Sequence, residues 1–411
     1  MSRATGRGRL PEPADFEAQP DPRRVAAWLD SDREARPARV ERVRARFAAA
    51  GVDAYFGVRS ENSRYLTGFA LGPGEDKVAG NSGQFLVGGD EVVILADSRY
   101  TIQVNDEATD CRLFEAYGDL PERWPELVAS AGARRIAVEA GFVSHALWQS
   151  LETAAPEIEL VPTDGWIEAD RATKEPAEIE RVARASAIAD RALAGLLPRI
   201  RAGVTERELA LDLEWLMRTN GAEALAFDVA CLGGSQAALP HGSPRDLPVH
   251  DGEVLLFDFG AQLAGYRSDM TRTLFVGEPR ARDLDVYQLV ARAQRAAIQL
   301  IEARLVDGEG VPSAREVDAR ARGVIEADGR WPAFGHGTGH GIGLATHELP
   351  TLSKRASDTP LPSPTVFSVE PGIYLEGETG VRIEDLVSVD GAKGQLEILT
   401  RFPRDVLIVG T

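Results

Sequence analysis

Hydrophobic periodicity first becomes clear at residues 38–58, where the sequence reads ARVERVRARFAAAGVDAYFGV. Val40, Val43 and Phe47 recur at the spacing of one helical face, and Gly51 is typical of a helix C-terminus. The apolar run 52–58 then predicts a β-strand. This segment therefore predicts a helix followed by a strand.

Further strands are predicted up to residue 165, with helical segments between several of them. The predicted strands are 83–88, 91–97, 134–140 and 158–162. This mixture favours an α/β domain over residues 38–165. Residues 1–37 are rich in proline, arginine and acidic residues with little apolar periodicity, and we expect most of them to be flexible or loosely docked.

The pattern changes at residue 170, where long helical segments begin and strand pairs replace single strands. Two capping boxes predict helix starts, and two apolar stretches with central turn residues predict antiparallel hairpins. The capping boxes are Thr205–Glu208 and Ser313–Glu316, and the hairpins are 253–277 and 365–389. Helices combined with hairpins indicate an α+β domain over residues 170–411.

Composition excludes several classes of partner. The chain has 411 residues and a net charge of -18 at pH 7, so we expect no nucleic-acid partner. Its two cysteines, Cys111 and Cys231, offer no disulfide framework. No apolar run approaches the ~20 residues of a membrane helix, and the N-terminus lacks the apolar core of a signal peptide. We therefore expect a cytoplasmic protein with no membrane partner.

Two acids interrupt the first hairpin where a buried strand would carry apolar side chains. Asp258 lies inside the run VLLFDFG, and Asp269 follows eleven residues later. If the hairpin is symmetrical about Leu263 and Ala264, the two side chains are cross-strand neighbours ~5 Å apart. Buried like charges at this separation repel, so one must be protonated or a cation must lie between them.

The second hairpin repeats this arrangement with two glutamates. Glu370 and Glu384 lie fourteen residues apart around Gly377, each in an apolar segment. A single buried acid is most simply explained by a salt bridge. Two hairpins that each carry a matched pair of acids favour a site for cations instead.

Histidine is concentrated in the glycine-rich segment FGHGTGHGIGLATHELP, residues 334–350, which holds three of the six in the chain. Carboxylates alone would suit calcium or magnesium, whereas an added imidazole favours manganese, cobalt, zinc or iron. Four carboxylates and one histidine can hold two ions about 3.5–4 Å apart. The glycines would let the backbone approach such a site closely. We expect His145 and His250 to be ordinary surface or core residues.

These motifs resemble the creatinase, aminopeptidase P and methionine aminopeptidase family, metallopeptidase family M24, whose catalytic half has the pita-bread fold. FDFGAQLAGYRSDMTRT resembles its Asp-Asp hairpin, HGTGHGIGLATHE its histidine motif, and SVEPGIYL with GVRIEDLV its two glutamate strands. GVDAYFGVRSENSRYLTGF and ILADSRYTIQ resemble the N-terminal domain of the proline-directed members. The resemblance implies a pita-bread catalytic domain preceded by an α/β creatinase-type domain. Methionine aminopeptidases lack that first domain and are a weaker match.

The resemblance also implies a site for two divalent metal ions, with manganese expected and cobalt or zinc as alternatives. A hydroxide held between the two ions would be the nucleophile, because two cations lower the pKa of a water. The implied metal ligands are Asp258, Asp269, His340, Glu370 and Glu384.

Other side chains of these motifs are implied to act beside the ligands. Glu370 would carry the proton as well as bind metal. His347, and His241 within ALPHGSPRD, would contact the scissile carbonyl and the developing oxyanion. Arg382 would orient carboxylates from the same strand face as Glu384, and His336 would lie next to the ligands.

The substrate implied by the resemblance is a peptide with proline in the second position, and the expected activity is that of an Xaa-Pro aminopeptidase. The alternative is an Xaa-Pro dipeptidase (prolidase). Such dipeptidases often carry arginine four residues after the third motif histidine, where this chain has Thr351. The missing cation favours longer peptides, although Lys354 or Arg355 could replace it.

Two remoter functions stay open on the same fold. One is a metal-independent hydrolase of the creatinase type, and the other is a binding protein without catalytic activity. The complete set of ligand residues disfavours both. By resemblance, we also expect a homodimer or homotetramer.

Overall fold

The alternating segments before residue 165 form one mixed β-sheet with helices around it. The structure, a computed structural model, describes residues 10–17, 20–72 and 74–410. The strands of this sheet are β1 (Ala54–Gly57), β2 (Phe85–Val87), β3 (Val92–Ala96), β4 (Arg112–Glu115), β5 (Arg135–Glu139) and β6 (Glu159–Thr163). The helices are α1 (Pro22–Arg44), α2 (Phe47–Ala50), α3 (Ser60–Thr67), α4 (Thr101–Glu107), α5 (Leu120–Ser130), α6 (His145–Ala154) and α7 (Trp166–Ala172).

The sheet has the order β4-β3-β2-β1-β5-β6. β1, β5 and β6 are parallel, β3 and β4 are parallel, and β2 runs antiparallel to both of its neighbours. Its core joins strand residues such as Phe56 and Val138 to Trp124 and Leu127 of α5. The chain divides into two compact units, and Pro22–Arg171 forms the first, here the N-terminal unit. The α/β class predicted for this part of the chain is confirmed.

The expectation for residues 1–37 is wrong over residues 22–37, because α1 covers them. Trp28, Arg36 and Val40 are buried along one side of this helix. Arg36 binds Asp110 at 2.7 Å and also the Thr67 carbonyl oxygen. Arginine stems supply much of the buried surface here, so a search for aliphatic periodicity missed the helix. Residues 1–9, 18 and 19 lie outside the described residues.

The second unit is called the C-terminal unit below. Of the described residues, it contains 10–17, 20, 21 and 172–410. Its helices are α8 (Pro176–Leu196), α9 (Glu206–Thr219), α10 (Ala281–Val306) and α11 (Ala314–Asp328). Its strands are β7 (Ala224–Leu225), β8 (Ala230–Gly233), β9 (Val254–Phe259), β10 (Ala261–Leu263), β11 (Tyr266–Arg267), β12 (Met270–Val276), β13 (Gly339–Gly341), β14 (Glu348–Leu352), β15 (Thr365–Val369), β16 (Gly372–Leu375), β17 (Thr379–Arg382), β18 (Asp385–Asp390), β19 (Gln395–Ile398) and β20 (Ile408–Val409).

Several small sheets share one core with helices α10 and α11 in this unit. The larger sheets have the orders β20-β12-β9-β8 and β14-β13-β15-β18-β19, and the smaller ones are β11-β10-β7 and β16-β17. Both predicted capping boxes are present, with the side chains of Thr205 and Ser313 accepting from the backbones of Glu208 and Glu316. The predicted α+β class is confirmed.

The first predicted hairpin forms, but its register differs from the symmetrical one. Asp258 pairs with Thr271, two residues beyond Asp269. The two aspartates are therefore diagonal neighbours on one face, and the expectation that they face each other directly is wrong. The cause is the turn, where Ala264 and Gly265 both have positive φ (47° and 81°) and move the centre of the hairpin along the chain.

The second hairpin has the predicted centre. Val369 pairs with Asp385 in one ladder and Gly372 with Arg382 in the next. These pairs share one register, which places Glu370 and Glu384 opposite each other between the two ladders. Gly377 lies in the connecting turn with a φ of 72°.

Among residues 10–17, 20–72 and 74–410, no helix combines the length and apolar character that crossing a membrane requires.

The buried indole of α5 provides a test of the N-terminal core. Trp124 is fully buried, whereas Trp215 on α9 is 66 % exposed. Trp124→Ala should lower the free energy of unfolding by about 3–5 kcal/mol, because it leaves a large cavity. Trp215→Ala should change it by less than about 0.5 kcal/mol. Urea unfolding followed by circular dichroism measures both, and equal effects would contradict the packing described.

Candidate active site

One cavity of about 530 Å³ in the C-terminal unit contains every side chain that the sequence singled out for chemistry. These residues come from distant parts of the chain and from both hairpins. They are His241, Asp258, Asp269, His336, His340, His347, Glu370, Arg382 and Glu384. The tertiary structure thus brings the nine predicted side chains together.

At the centre of this cavity, carboxylates surround the imidazole of His340. Ligand atoms of Asp269, His340 and Glu384 all lie within 4.8 Å of one another. His340 Nε2 lies 3.4 Å from Glu370 Oε1 and 3.7 Å from Asp269 Oδ2. Carboxylate oxygens and an imidazole nitrogen at these separations suit a divalent transition metal.

Unpartnered oxygens support a cation at this position. Within the described part of the chain, Asp258 Oδ1, Asp269 Oδ1 and Glu384 Oε1 are buried and have no hydrogen-bond partner. The other oxygen is anchored in two of these acids, since Thr271 Oγ1 donates to Glu384 Oε2 at 2.8 Å and Arg382 Nη2 to Asp258 Oδ2 at 2.6 Å. Each of these two acids therefore presents one oriented oxygen to a metal, and the residues fit the implied ions.

Electrostatics leads to the same conclusion. Burial, followed by the charges of neighbouring acids, raises the pKa of Asp269 and of Glu384 well above the usual range. Burial also raises the pKa of Glu370, although Arg382 opposes the shift. The acids would thus retain protons in the absence of a cation, and divalent metal would displace them. Burial lowers the pKa of His340, which keeps its imidazole in the neutral form that binds metal.

Backbone contacts orient His340. Its Nδ1 lies 3.1 Å from the Gly341 carbonyl oxygen, which can only accept, so Nε2 faces the carboxylates as an acceptor. Its backbone N–H donates to Ser368 Oγ at 3.0 Å. A Cβ on Gly339 would lie 1.9 Å from the Ser368 carbonyl oxygen, and one on Gly341 2.0 Å from that of Leu349. Close packing of the neighbouring strands thus explains the glycines on both sides of this histidine.

Arg382 connects the carboxylates to a tyrosine that the sequence analysis did not identify. Besides Asp258, its guanidinium donates to Thr271 Oγ1 at 2.8 Å and to Tyr374 Oη at 3.0 Å. Tyr374 Oη also lies 2.9 Å from His336 Nε2. Tyr374 follows Glu370 by four residues. Because residues i and i+4 of a strand lie on one face, this spacing could have indicated that Tyr374 lies near the predicted ligands.

The remaining two predicted histidines contribute to the cavity beyond the central acids. The ring of His347 lies 4.0 Å from that of His340, centre to centre, and burial lowers the pKa of His347. The loop before β14 is held by a fully buried ion pair, in which Lys174 Nζ donates to Glu348 Oε1 at 2.8 Å. His241 is exposed and follows the 3-10 helix Gly234–Ala238.

Two further side chains belong to the lining of the cavity. Thr351 lines the cavity, as its position four residues after His347 implied. Arg267 also lines it, although the sequence analysis did not single out this residue. Lys354 and Arg355 lie outside the described lining. His145 begins α6 in the N-terminal unit, and His250 lies outside the described lining as well.

Comparison with known families agrees with this geometry. The profile of Metallopeptidase family M24 matches residues 180–391, and that of the Creatinase/Prolidase N-terminal domain matches residues 39–173. The chain belongs to metallopeptidase family M24. It is therefore a peptidase of a family that uses divalent metal, with a pita-bread catalytic domain and a creatinase-type N-terminal domain.

Individual relatives are similar over most of the chain. An Xaa-Pro dipeptidase from Pyrococcus furiosus is 36 % identical over 65 % of this chain and 74 % of its own. The structure of an Xaa-Pro dipeptidase from Bacillus anthracis is 32 % identical, with a TM-score of 0.82 over 90 % of this chain and 99 % of that one. The structure of an X-Pro aminopeptidase from Thermotoga maritima is 35 % identical, with a TM-score of 0.76 over 87 % and 98 %.

The position of His340 among the acids generates a test of metal binding. His340→Ala should lower the affinity for divalent metal by at least roughly tenfold and abolish hydrolysis, because the one imidazole among the expected ligands is lost. Metal content measured by elemental analysis of the purified protein checks this. His250→Ala, which changes an imidazole outside the cavity, serves as the matched control. Unchanged metal content in His340→Ala would contradict the assignment.

Proposed function

We propose that this chain is a metal-dependent Xaa-Pro dipeptidase, which hydrolyses the bond between the first residue and proline in a dipeptide. The observation that carries the proposal is the meeting of four acids and one histidine in a single cavity. The similarity to the dipeptidases of P. furiosus and B. anthracis favours the dipeptide as substrate over the longer peptides expected from the sequence.

Two divalent ions, manganese by preference over cobalt or zinc, would be held by the five ligand residues. These are Asp258, Asp269, His340, Glu370 and Glu384. When bound, such ions polarise a carbonyl and lower the pKa of a water toward neutrality. The protein itself must orient the carboxylates. Hydrogen bonds do this: Thr271 donates to Glu384, Ser368 to Glu370, and Arg382 to Asp258.

Glu370 is suited to move a proton during the reaction. Hydrolysis of an Xaa-Pro bond releases a secondary amine whose nitrogen must be protonated before or as it leaves. The Oε1 of Glu370 lies 3.4 Å from His340 Nε2, so this carboxylate would lie close enough to a water in the site to accept a proton and pass it to the leaving nitrogen. Ser368 Oγ donates to Glu370 Oε1 at 3.1 Å and keeps the group in place.

His347 and His241 would serve as hydrogen-bond donors to the substrate carbonyl oxygen. The lowered pKa of His347 keeps its ring neutral near pH 7, with one N–H to donate. Negative charge appears on the carbonyl oxygen only as the tetrahedral state forms, so a donor placed there stabilises the transition state more than the substrate.

Proline explains why a dedicated enzyme is needed. The Xaa-Pro bond is a tertiary amide without an N–H, and the ring fixes φ. Peptidases that recognise an extended backbone through that N–H therefore hydrolyse the Xaa-Pro bond poorly.

The assembly into a homodimer or homotetramer and the location in the cytoplasm stay predictions from the sequence.

The second candidate is an Xaa-Pro aminopeptidase that accepts longer peptides. Thr351 favours it, since a neutral side chain stands where dipeptidases often have arginine. The similarity to the aminopeptidase of T. maritima also supports it.

Substrate length distinguishes the two candidates. With manganese present, kcat/KM for Ala-Pro should exceed that for Ala-Pro-Ala by at least roughly tenfold, which corresponds to about 1.4 kcal/mol in the transition state. Release of alanine measured by chromatography gives both values. The reverse preference would reject the dipeptidase in favour of the aminopeptidase.

Metal removal distinguishes both candidates from the remoter functions. Exhaustive dialysis against a chelator should abolish hydrolysis of either peptide, because neither the nucleophile nor the carbonyl is activated without the cations. Added Mn²⁺ should restore it. Hydrolysis that survives complete metal removal would indicate a creatinase-type reaction, and metal binding without any hydrolysis would indicate a binding protein.

A further inference from the structure

Glu384 lies at a break in its strand. It stands between the end of β17 and the start of β18, so its backbone is outside both ladders of the second hairpin. A buried backbone N–H or carbonyl outside a ladder needs another partner. For Glu384 both partners belong to β12, since its N–H donates to the Thr271 carbonyl oxygen at 3.1 Å and its carbonyl oxygen accepts from Arg272 Nη1.

The guanidinium of Arg272 is buried and uses all five of its N–H donors. Nη1 donates to the carbonyl oxygens of Thr271, at 3.0 Å, and Glu384, Nη2 to Asp385 Oδ1 and the Phe402 carbonyl oxygen, both at 2.7 Å, and Nε to the Pro403 carbonyl oxygen at 3.1 Å. This one side chain therefore joins β12, the backbone of Glu384 and the segment 402–403.

Asp385 supplies the negative charge that a buried guanidinium requires. Its carboxylate is fully buried, and Oδ1 accepts from Thr400 Oγ1 at 2.7 Å as well as from Arg272. Oδ2 accepts from Gln294 and lies 3.4 Å from Arg404 Nη1. Donors on both oxygens hold the carboxylate in place, so the partner of Arg272 has a fixed position.

The segment 402–403 is itself anchored outside the hairpins. The backbone N–H groups of Arg401 and Phe402 donate to the two carboxylate oxygens of Asp190, at 2.8 and 3.0 Å. Asp190 belongs to α8. The position of Arg272, and through it that of the Glu384 backbone, is thus defined relative to a long helix and not to the hairpins alone.

Stability alone does not explain an ion pair at this place. A buried ion pair often contributes no more to stability than apolar side chains of similar volume, because both charges lose their hydration. An apolar side chain at position 272 would leave the Glu384 carbonyl oxygen without this donor. The side chain of Glu384 is held at Oε2 by Thr271 Oγ1, and its buried Oε1 has no hydrogen-bond partner. Fixing the backbone as well leaves that oxygen only one direction.

From these contacts, and resting on the proposed function in which Glu384 binds metal, we infer that Arg272 and Asp385 position Glu384 for the metal. Neither residue belongs to the described lining of the cavity, so both act through the ligand rather than on the substrate. Arg272 holds the backbone of the ligand, and Asp385 holds Arg272. The affinity for metal should therefore depend on this pair.

The test measures Mn²⁺ binding by calorimetry on the full chain after its metal has been removed with a chelator. Arg272→Lys keeps the charge but has three donors instead of five, so it cannot hold all the same acceptors. It should lower the Mn²⁺ affinity about 10- to 100-fold, the usual effect of changing a residue behind a metal ligand. The absorption spectrum of the Co²⁺-loaded protein should also change, because a displaced carboxylate alters the coordination geometry.

A second variant tests the same pair with a smaller change. Asp385→Asn keeps the shape of the side chain but weakens its contact with Arg272. It should lower the Mn²⁺ affinity in the same direction, by roughly threefold or more.

Arg36→Lys is the matched control. Arg36 is likewise buried, pairs with an aspartate, Asp110, at 2.7 Å and donates to two backbone carbonyl oxygens, but it belongs to the N-terminal unit. The control should lower the midpoint of thermal unfolding and leave both the Mn²⁺ affinity and the Co²⁺ spectrum unchanged.

The outcomes separate the inference from the proposed function. If the unaltered protein binds Mn²⁺ and Arg272→Lys binds it equally well, the inference is wrong and the proposed function stands. If circular dichroism shows that Arg272→Lys does not fold, Asp385→Asn decides, and an unchanged affinity in that variant overturns the inference. An equal loss of affinity in Arg36→Lys would also overturn it, since the loss would then reflect general destabilisation. If the unaltered protein binds no Mn²⁺, the proposed function fails, and the inference fails with it.

Discussion

Mutual repulsion among four carboxylates, two of them buried and two half-buried, is the constraint on which the rest of the structure depends. Such a group is unstable without cations or protons, and no apolar core could accommodate it otherwise. Hydrogen bonds from Thr271 and Arg382 each hold one oxygen of an acid and leave the other toward the common centre. The neutral imidazole of His340 adds a ligand without adding charge. The site is thus built so that divalent metal completes it.

The hairpins support this arrangement through strand alternation. Val381 and Ile383 belong to the same core as residues of α10 and α11, whereas Arg382 and Glu384, one residue along, line the cavity. Each strand therefore gains stability from its apolar side while it presents charge on the other. Rigid strands also hold the acids with little freedom, and a dinuclear metal site needs this precision of placement.

Substrate choice depends on a different set of contacts from metal binding. The proposed ligand residues and Arg382 would account for hydrolysis, and they are compatible with either a dipeptide or a longer peptide. The difference would lie in how the cavity accommodates a negative charge on proline, and Thr351 of the lining supplies no positive charge for it. The proposed metal ligands would therefore define the reaction more closely than they define the substrate.

The sequence by itself determined the two fold classes, both capping boxes and the nine side chains that meet in the cavity. Local periodicity and acids within apolar strands can be recognised in the sequence alone, whereas His241 and Arg382 were implied by the resemblance to the family. It did not reveal the helix from Pro22, because arginine stems replace aliphatic residues on the buried side of that helix. Nor did it reveal the diagonal placement of Asp258 and Asp269, which depends on the backbone angles of a turn. Tertiary structure alone placed Arg267 in the lining of the cavity and the hydroxyl of Tyr374 against Arg382, since contacts between distant strands decide which side chains become neighbours.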